Sequence, residues 1–143
     1  MKAIILEDET RAANHLERLL AKVAPAILVI AKLESVRDGV KYLQNNPEPD
    51  LIFSDIQLAD GLSFEIYKQV AVSCPIIFTT AYDHYAIEAF QTNGIDYLLK
   101  PIEEERLLKA IEKARHFSPG LVLEKLLTMN RPAGEKAYKS RFM

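Results

Sequence analysis

The 143 residues contain a single cysteine, Cys74, so no internal disulfide can brace the fold. No apolar run approaches the ~20 residues that span a bilayer. Net charge is only −2, which gives no bulk reason to expect nucleic-acid binding. Acids arrive at Glu7 and Asp8, too early for a signal peptide. Internal repeats and low-complexity segments are absent. Together these features lead us to expect a cytoplasmic protein with no membrane partner. What is present is an ordinary globular balance, 49% apolar against 27% charged, at a length that suits one domain with a short tail.

Short apolar runs alternate with amphipathic ones. Ala3 to Leu6 reads as a buried strand that stops at acids. Thr10 to Val23 carries Ala13, Leu16, Leu19, Leu20 and Val23 at helical spacing, with Thr10 as a cap and Pro25 as the stop. Ile27 to Leu33 is a second strand, and Val36 to Asn45 a second helix. The prolines of NNPEPD break the chain before a third strand, Leu51 to Ser54. Leu62 to Val72 reads as a helix, Pro75 to Thr79 as a strand, Tyr85 to Gln91 as a short helix and Ile95 to Leu99 as a fifth strand. Glu103 to His116 closes the series, its three leading acids suited to a helix N-terminus. Five β–α units with strands this apolar imply an α/β fold: a parallel sheet covered on both faces.

In such a sheet, sites form beyond the carboxyl ends of the strands. The residues that fall there are Glu7 and Asp8 after the first strand, Asp55 after the third, Thr80 after the fourth and Lys100 after the fifth. Taken singly, each has a bland explanation. Asp8 reads as a helix cap, Asp55 as a turn residue, Thr80 as a strand-end hydroxyl and Lys100 as a solvated charge. Taken together, they form complementary chemistry. Three acids invite a hard divalent cation such as Mg²⁺, and the lysine and the hydroxyl could meet a phosphoryl group while a carboxylate attacks it. Lys100-Pro101 adds an X-Pro bond, a type that is cis in about 5–6% of folded cases. A cis bond would turn the lysine back toward the site, whereas a trans proline would open the last helix.

These residues sit in four motifs: LEDE after strand one, SDIQLADG after strand three, TTAYD after strand four and DYLLKP around strand five. In that order and spacing the chain resembles the receiver domain of two-component response regulators over about residues 2 to 117. The resemblance implies a three-layer, flavodoxin-like fold with a five-stranded parallel sheet in the order 2-1-3-4-5. It makes Asp55 the phosphate acceptor, and Glu7 and Asp8 the acidic pair for Mg²⁺, with Asp8 the direct ligand. The Gln57 backbone carbonyl would complete the metal site. Thr80 matches the switch hydroxyl, Lys100 the lysine that contacts a phosphoryl oxygen, and Tyr97 the aromatic switch position, whose alternative is a partly buried strand tyrosine. The expected partners are a sensor histidine kinase and a second copy of the chain, the latter through the face of helix four, strand five and helix five. His84 and Tyr85 open that fourth helix.

Two departures stand out: Glu-Asp replaces the usual Asp-Asp pair, and Leu58-Ala59 replaces the common Met-Pro after the acceptor. Asp60-Gly61 keeps the turn chemistry. The details look most like receivers of the LytTR class, in which a DNA-binding domain follows. On that reading, 118–138 is a linker, helical in part, and 139–143 opens an output domain whose remainder is missing. DNA would be bound only through that domain. The alternative is a stand-alone receiver. The resemblance also implies a signalling switch rather than an enzyme. An aspartyl-phosphate phosphohydrolase commonly needs an acid two residues past its nucleophile, where Gln57 stands. A flavin or nucleotide binder wants a glycine-rich first turn, and LEDETRA has none.

Overall fold

The computed structural model describes residues 1–82 and 94–117 of the chain. The helix expected over 85–91, the linker over 118–138 and the strand over 139–143 lie outside those residues. The elements, in chain order, are β1 (Lys2–Leu6), α1 (Thr10–Val23), β2 (Leu28–Leu33), α2 (Val36–Asn45), β3 (Leu51–Asp55), β4 (Gln57–Leu58), β5 (Gly61–Leu62), α3 (Phe64–Gln69), β6 (Ile76–Thr80), β7 (Gly94–Leu99) and α4 (Glu104–Arg115).

Five strands form one sheet in the order β2-β1-β3-β6-β7, every neighbouring pair parallel. Counted along the sheet strands alone, this is the expected order 2-1-3-4-5. Strand side chains alternate between faces, and this divides the core in two. Ala3, Ile5, Leu51, Phe53, Ile77 and Leu98 pack with the apolar stripes of α1 and α4. Ile4, Leu6, Ile52, Ile76 and Phe78 pack on the other face with Phe64 and Ile66 of α3 and Val40 and Leu43 of α2. Phe53, Phe78 and Ile4 are fully buried, each contributing roughly 1.5–3 kcal/mol. Gly39 lets α2 come close to α3: a Cβ there would lie 2.6 Å from Ile66 Cδ1.

The departures from expectation have local causes. β2 is not buried on both faces; Leu28 and Ile30 are exposed, because β2 is the last strand on its side of the described sheet. Thr10 is not the cap of α1. The cap position is Glu9, which makes no side-chain capping bond. Glu7 Oε2 accepts the Glu9 N–H at 3.1 Å, holding the chain extended for one more residue before it coils. Asp55 and Thr80 are the last residues of their strands rather than the first of their loops, and Asp55 pairs in register with Thr79. α3 is shorter than the run Leu62 to Val72, because Gly61–Leu62 pairs antiparallel with Gln57–Leu58 directly after Asp55. The turn of that ribbon needs Gly61, whose φ of 146° is open to glycine and strained for other residues.

Asp60, beside that glycine, does more than turn the chain. Its carboxylate accepts the N–H groups of Val36 at 2.6 Å and Arg37 at 3.1 Å, while Ser35 Oγ accepts the Asp38 N–H at 3.0 Å. The loop after Asp55 therefore caps α2, satisfying donors that a helix start leaves open. The Val36 N–H, above all, holds the Asp60 carboxyl below its ordinary pKa. A carboxylate with a lowered folded pKa stabilises above the unfolded value, and the effect is lost as pH falls through the folded one. Asp60→Ala should lower stability at pH 7 by about 1 kcal/mol, the scale of a lost cap. Urea titrations at pH 7 and at a pH well below 3.8 check this; the difference between the two proteins should be present in the first and vanish in the second.

Candidate functional site

Three strand ends and one strand-to-helix turn bring the candidate residues together. β1 runs out at Leu6, and Glu7 and Asp8 follow at the sheet's carboxyl edge. β3 delivers Asp55 and β6 delivers Thr80 to the same edge. β7 ends at Leu99, so Lys100 begins the turn into α4, and the Lys100–Pro101 bond, left open by the sequence, is cis. The Lys100 N–H donates to the Thr80 carbonyl at 2.7 Å, tying the turn to the end of β6.

Lys100 Nζ sits between two acids. It donates to Glu7 Oε1 at 2.6 Å and to Asp55 Oδ2 at 2.9 Å. All three side chains are shielded: 23% of Lys100, 5% of Glu7 and 9% of Asp55 is exposed. Asp55 Oδ1 accepts the Gln57 N–H at 3.3 Å, so both acceptor oxygens are held. Burial pushes the Glu7 carboxyl up to about 7, and the nearby Asp55 charge adds to that; the Lys100 hydrogen bond opposes it. Burial alone would lower the Lys100 ammonium, but its hydrogen bonds to Glu7 and Asp55 outweigh that and hold its pKa above the ordinary value. One ammonium cannot balance two shielded carboxylates, and Glu7 takes the resulting excess.

Asp8 completes the cluster. Glu7, Asp8 and Asp55 each offer a carboxylate oxygen, and these lie within 4.8 Å of one another. Hard oxygen donors carrying surplus negative charge fit a divalent cation of the Mg²⁺ class, which is bound through one or two carboxylates and waters. Gln57 lies in β4, two residues past Asp55, which its N–H contacts.

The two switch candidates are placed differently. Thr80 is buried, and its hydroxyl accepts the Tyr82 N–H at 3.2 Å, a strand-end role that exists beside any other. Tyr97, on β7, is half-buried against the α2–α3 face of the core, and its hydroxyl donates to the Tyr82 carbonyl. His84 and Tyr85 lie outside the described residues. Cys74 is buried, and desolvation pushes its thiol up to about 12, which suits an inert apolar side chain. Sequence reasoning missed Asp60 as the cap of α2, because Asp-Gly already had an explanation as a turn. It also passed over Asp96, a buried acid in the otherwise apolar run GIDYLL, where an acid inside a strand was itself the signal. Among the described residues no helix is long and apolar enough to cross a membrane.

Comparison with known proteins agrees with this geometry. The family model of the response regulator receiver domain matches residues 3–112. The chain is 37% identical over 116 residues to a sensory transduction protein LytT of Bacillus anthracis, covering 79% of this chain and 46% of that one. It is 36% identical over 118 residues to the transcriptional regulatory protein LytR of Staphylococcus aureus, covering 80% and 47%. The chain thus spans about half the length of these relatives. The crystal structure of the response regulatory domain of protein mrkE from Klebsiella pneumoniae superposes with a TM-score of 0.70 at 35% identity, covering 80% of this chain and 95% of that one. The chain therefore belongs to the response regulator receiver family, with LytT and LytR regulators among its relatives.

Proposed function

We propose that this receiver domain takes a phosphoryl group onto Asp55 and passes that event on as a change of conformation. The observation that carries the reading is Lys100 Nζ, held 2.9 Å from Asp55 Oδ2 and 2.6 Å from Glu7 Oε1 in a shielded site. An Asp55 oxygen forms the new P–O bond as the phosphorus–nitrogen bond of a phosphohistidine donor breaks. The Lys100 ammonium then moves its hydrogen bond from the carboxylate to a phosphoryl oxygen. The Gln57 N–H, on Asp55 Oδ1, keeps the carboxylate oriented during attack. Asp8, Asp55, Glu7 and the Gln57 carbonyl are the residues to hold Mg²⁺, which supplies charge neutralisation for the transferring group. The rest of the work is positioning and electrostatics.

The phosphoryl group adds about −1.5 to −2 charge and several acceptor oxygens. Thr80 Oγ1 and Lys100 follow that charge, and Tyr97 responds beside them. This biases an existing equilibrium toward a dimer through the face that includes β7 and α4. The donor is a sensor histidine kinase, and the location is cytoplasmic. DNA binding resides in an output domain outside the receiver, a reading supported by the name of the Staphylococcus aureus relative, a transcriptional regulatory protein. The domain is a switch, not a turnover enzyme, apart from its own phosphotransfer and dephosphorylation.

The test is intact mass after incubation with acetyl phosphate and Mg²⁺. The unsubstituted chain should gain one phosphoryl group, and Asp55→Asn or added EDTA should abolish the gain. No gain from either acetyl phosphate or a phosphorylated kinase domain would overturn the reading.

A further inference from the structure

Asp96 is a buried acid that the proposed chemistry does not use. It stands on β7 between Ile95 and Tyr97, and its side chain is 6% exposed. Its two oxygens are divided between two tasks. Oδ1 accepts the Tyr97 N–H at 2.9 Å and a hydrogen bond from Arg106 Nη2 at 3.1 Å. Oδ2 accepts no hydrogen bond and is paired only by charge, 3.4 Å from Lys113 Nζ. Arg106 and Lys113 are seven residues apart on α4, two turns along one face. The same Arg106 Nη2 also reaches the Tyr97 carbonyl at 3.5 Å. Both backbone groups of Tyr97 are therefore engaged by one clamp, on the outer side of the last strand of the described sheet. An outer strand otherwise presents such groups unpaired. A lone buried carboxylate is costly unless paired, and a nonpolar residue would pack here more simply. The Arg106 and Lys113 heads remain partly exposed, so the clamp pins α4 to β7 without filling the core.

The clamp lies four residues from Lys100 and one from Tyr97, on the strand that delivers both. We propose that Asp96 is a positioning residue for phosphoryl uptake: through Arg106 and Lys113 it fixes β7 against α4, and so sets where Lys100 Nζ stands between Glu7 and Asp55. This rests on Asp55 being the acceptor. The acids proposed to hold the metal, Glu7 and Asp8 just after β1 and Asp55 at the end of β3, make none of the clamp's contacts. The positioning role therefore separates from metal binding, and a general loss of folding would not.

The experiment compares unsubstituted protein, Asp96→Asn and Arg106→Met by intact-mass time courses with acetyl phosphate, and by calorimetric titration with Mg²⁺. Asp96→Asn keeps an acceptor for the Tyr97 N–H and removes the charge that holds α4. Arg106→Met changes a partly exposed side chain and keeps the fold available if the first variant does not fold. A small misplacement of a reacting group is costly in rate, so each variant should take up phosphoryl about tenfold more slowly or worse, with Mg²⁺ affinity unchanged. The combined variant should be no slower than Asp96→Asn alone, as expected for members of one unit. Unchanged uptake in Arg106→Met, or a loss of Mg²⁺ affinity parallel to the loss of rate, would overturn the positioning role while leaving Asp55 as the acceptor. No uptake by the unsubstituted protein would overturn the acceptor reading, and the role of Asp96 with it.

Discussion

Lys100→Ala should slow phosphoryl uptake from acetyl phosphate by about 10²-fold or more, the usual cost of losing one pre-placed charge-stabilising donor. The lysine needs no reorganisation to act: its ammonium already lies 2.9 Å from Asp55 Oδ2 and is shielded from water. Shielding raises the worth of each charge, because the effective dielectric is lower than in bulk solvent. Mg²⁺ affinity should hold or improve in the same variant, since the ammonium competes with a cation for Glu7 and Asp55. This opposite movement separates a reaction partner from a structural ion pair. Lys100→Arg keeps the charge but replaces a compact ammonium by a planar fork, so only part of the rate should return. Removing Lys100 leaves two shielded carboxylates unpaired, a loss on the order of 3–5 kcal/mol. The rates are therefore compared at a temperature where both proteins remain folded. An unchanged rate in Lys100→Ala would remove the lysine from the chemistry.

Glu7 gives the second large effect, in stability. Burial, with Asp55 close by, raises its folded pKa from 4.5 to about 7. A carboxyl with a raised folded pKa favours the folded state below the unfolded pKa, and that favour is lost as pH rises through the folded one. In chelator, this group alone should therefore cost the protein stability between about pH 4.5 and about 7, by at most roughly 3 kcal/mol. Glu7→Gln removes the ionisation and keeps the shape. Urea titrations in EDTA should show the variant gaining on the unsubstituted protein from pH 5 to pH 8. Mg²⁺ should reverse the gain, because a cation compensates the charge that burial penalises. Equal pH slopes for the two proteins in EDTA would contradict the cause assigned to Glu7.

The pattern that exposed the fold was burial itself. Runs such as Leu51 to Ser54 and Pro75 to Thr79 are apolar because they lie between two helix layers, and that constraint is written into every residue of a central strand. At β2 it weakens: on this outer strand Leu28, Ile30 and Lys32 are exposed and alternate with half-buried neighbours. The acids and the lysine stand out in the sequence only jointly, as complementary charges at separate strand ends, and the fold does bring Lys100 onto Glu7 and Asp55. What was not legible depends on contacts between distant segments. Asp60 is 24 residues from Val36, whose N–H it takes. Arg106 reaches back 10 residues to Asp96. Glu7, which accepts the Glu9 N–H, is itself paired with Lys100, 93 residues away. Local propensity carries none of these distances.

The identity of the acceptor is decided most directly by trapping. After incubation with acetyl phosphate and Mg²⁺, borohydride reduces an aspartyl phosphate to a stable alcohol, and peptide mass spectrometry locates the reduced residue. The expected result is one reduced residue, at Asp55. Reduction at Glu7, Asp8, Asp60 or Asp96 with Asp55 intact would contradict the assignment of Asp55 as the residue that Lys100 is placed to serve.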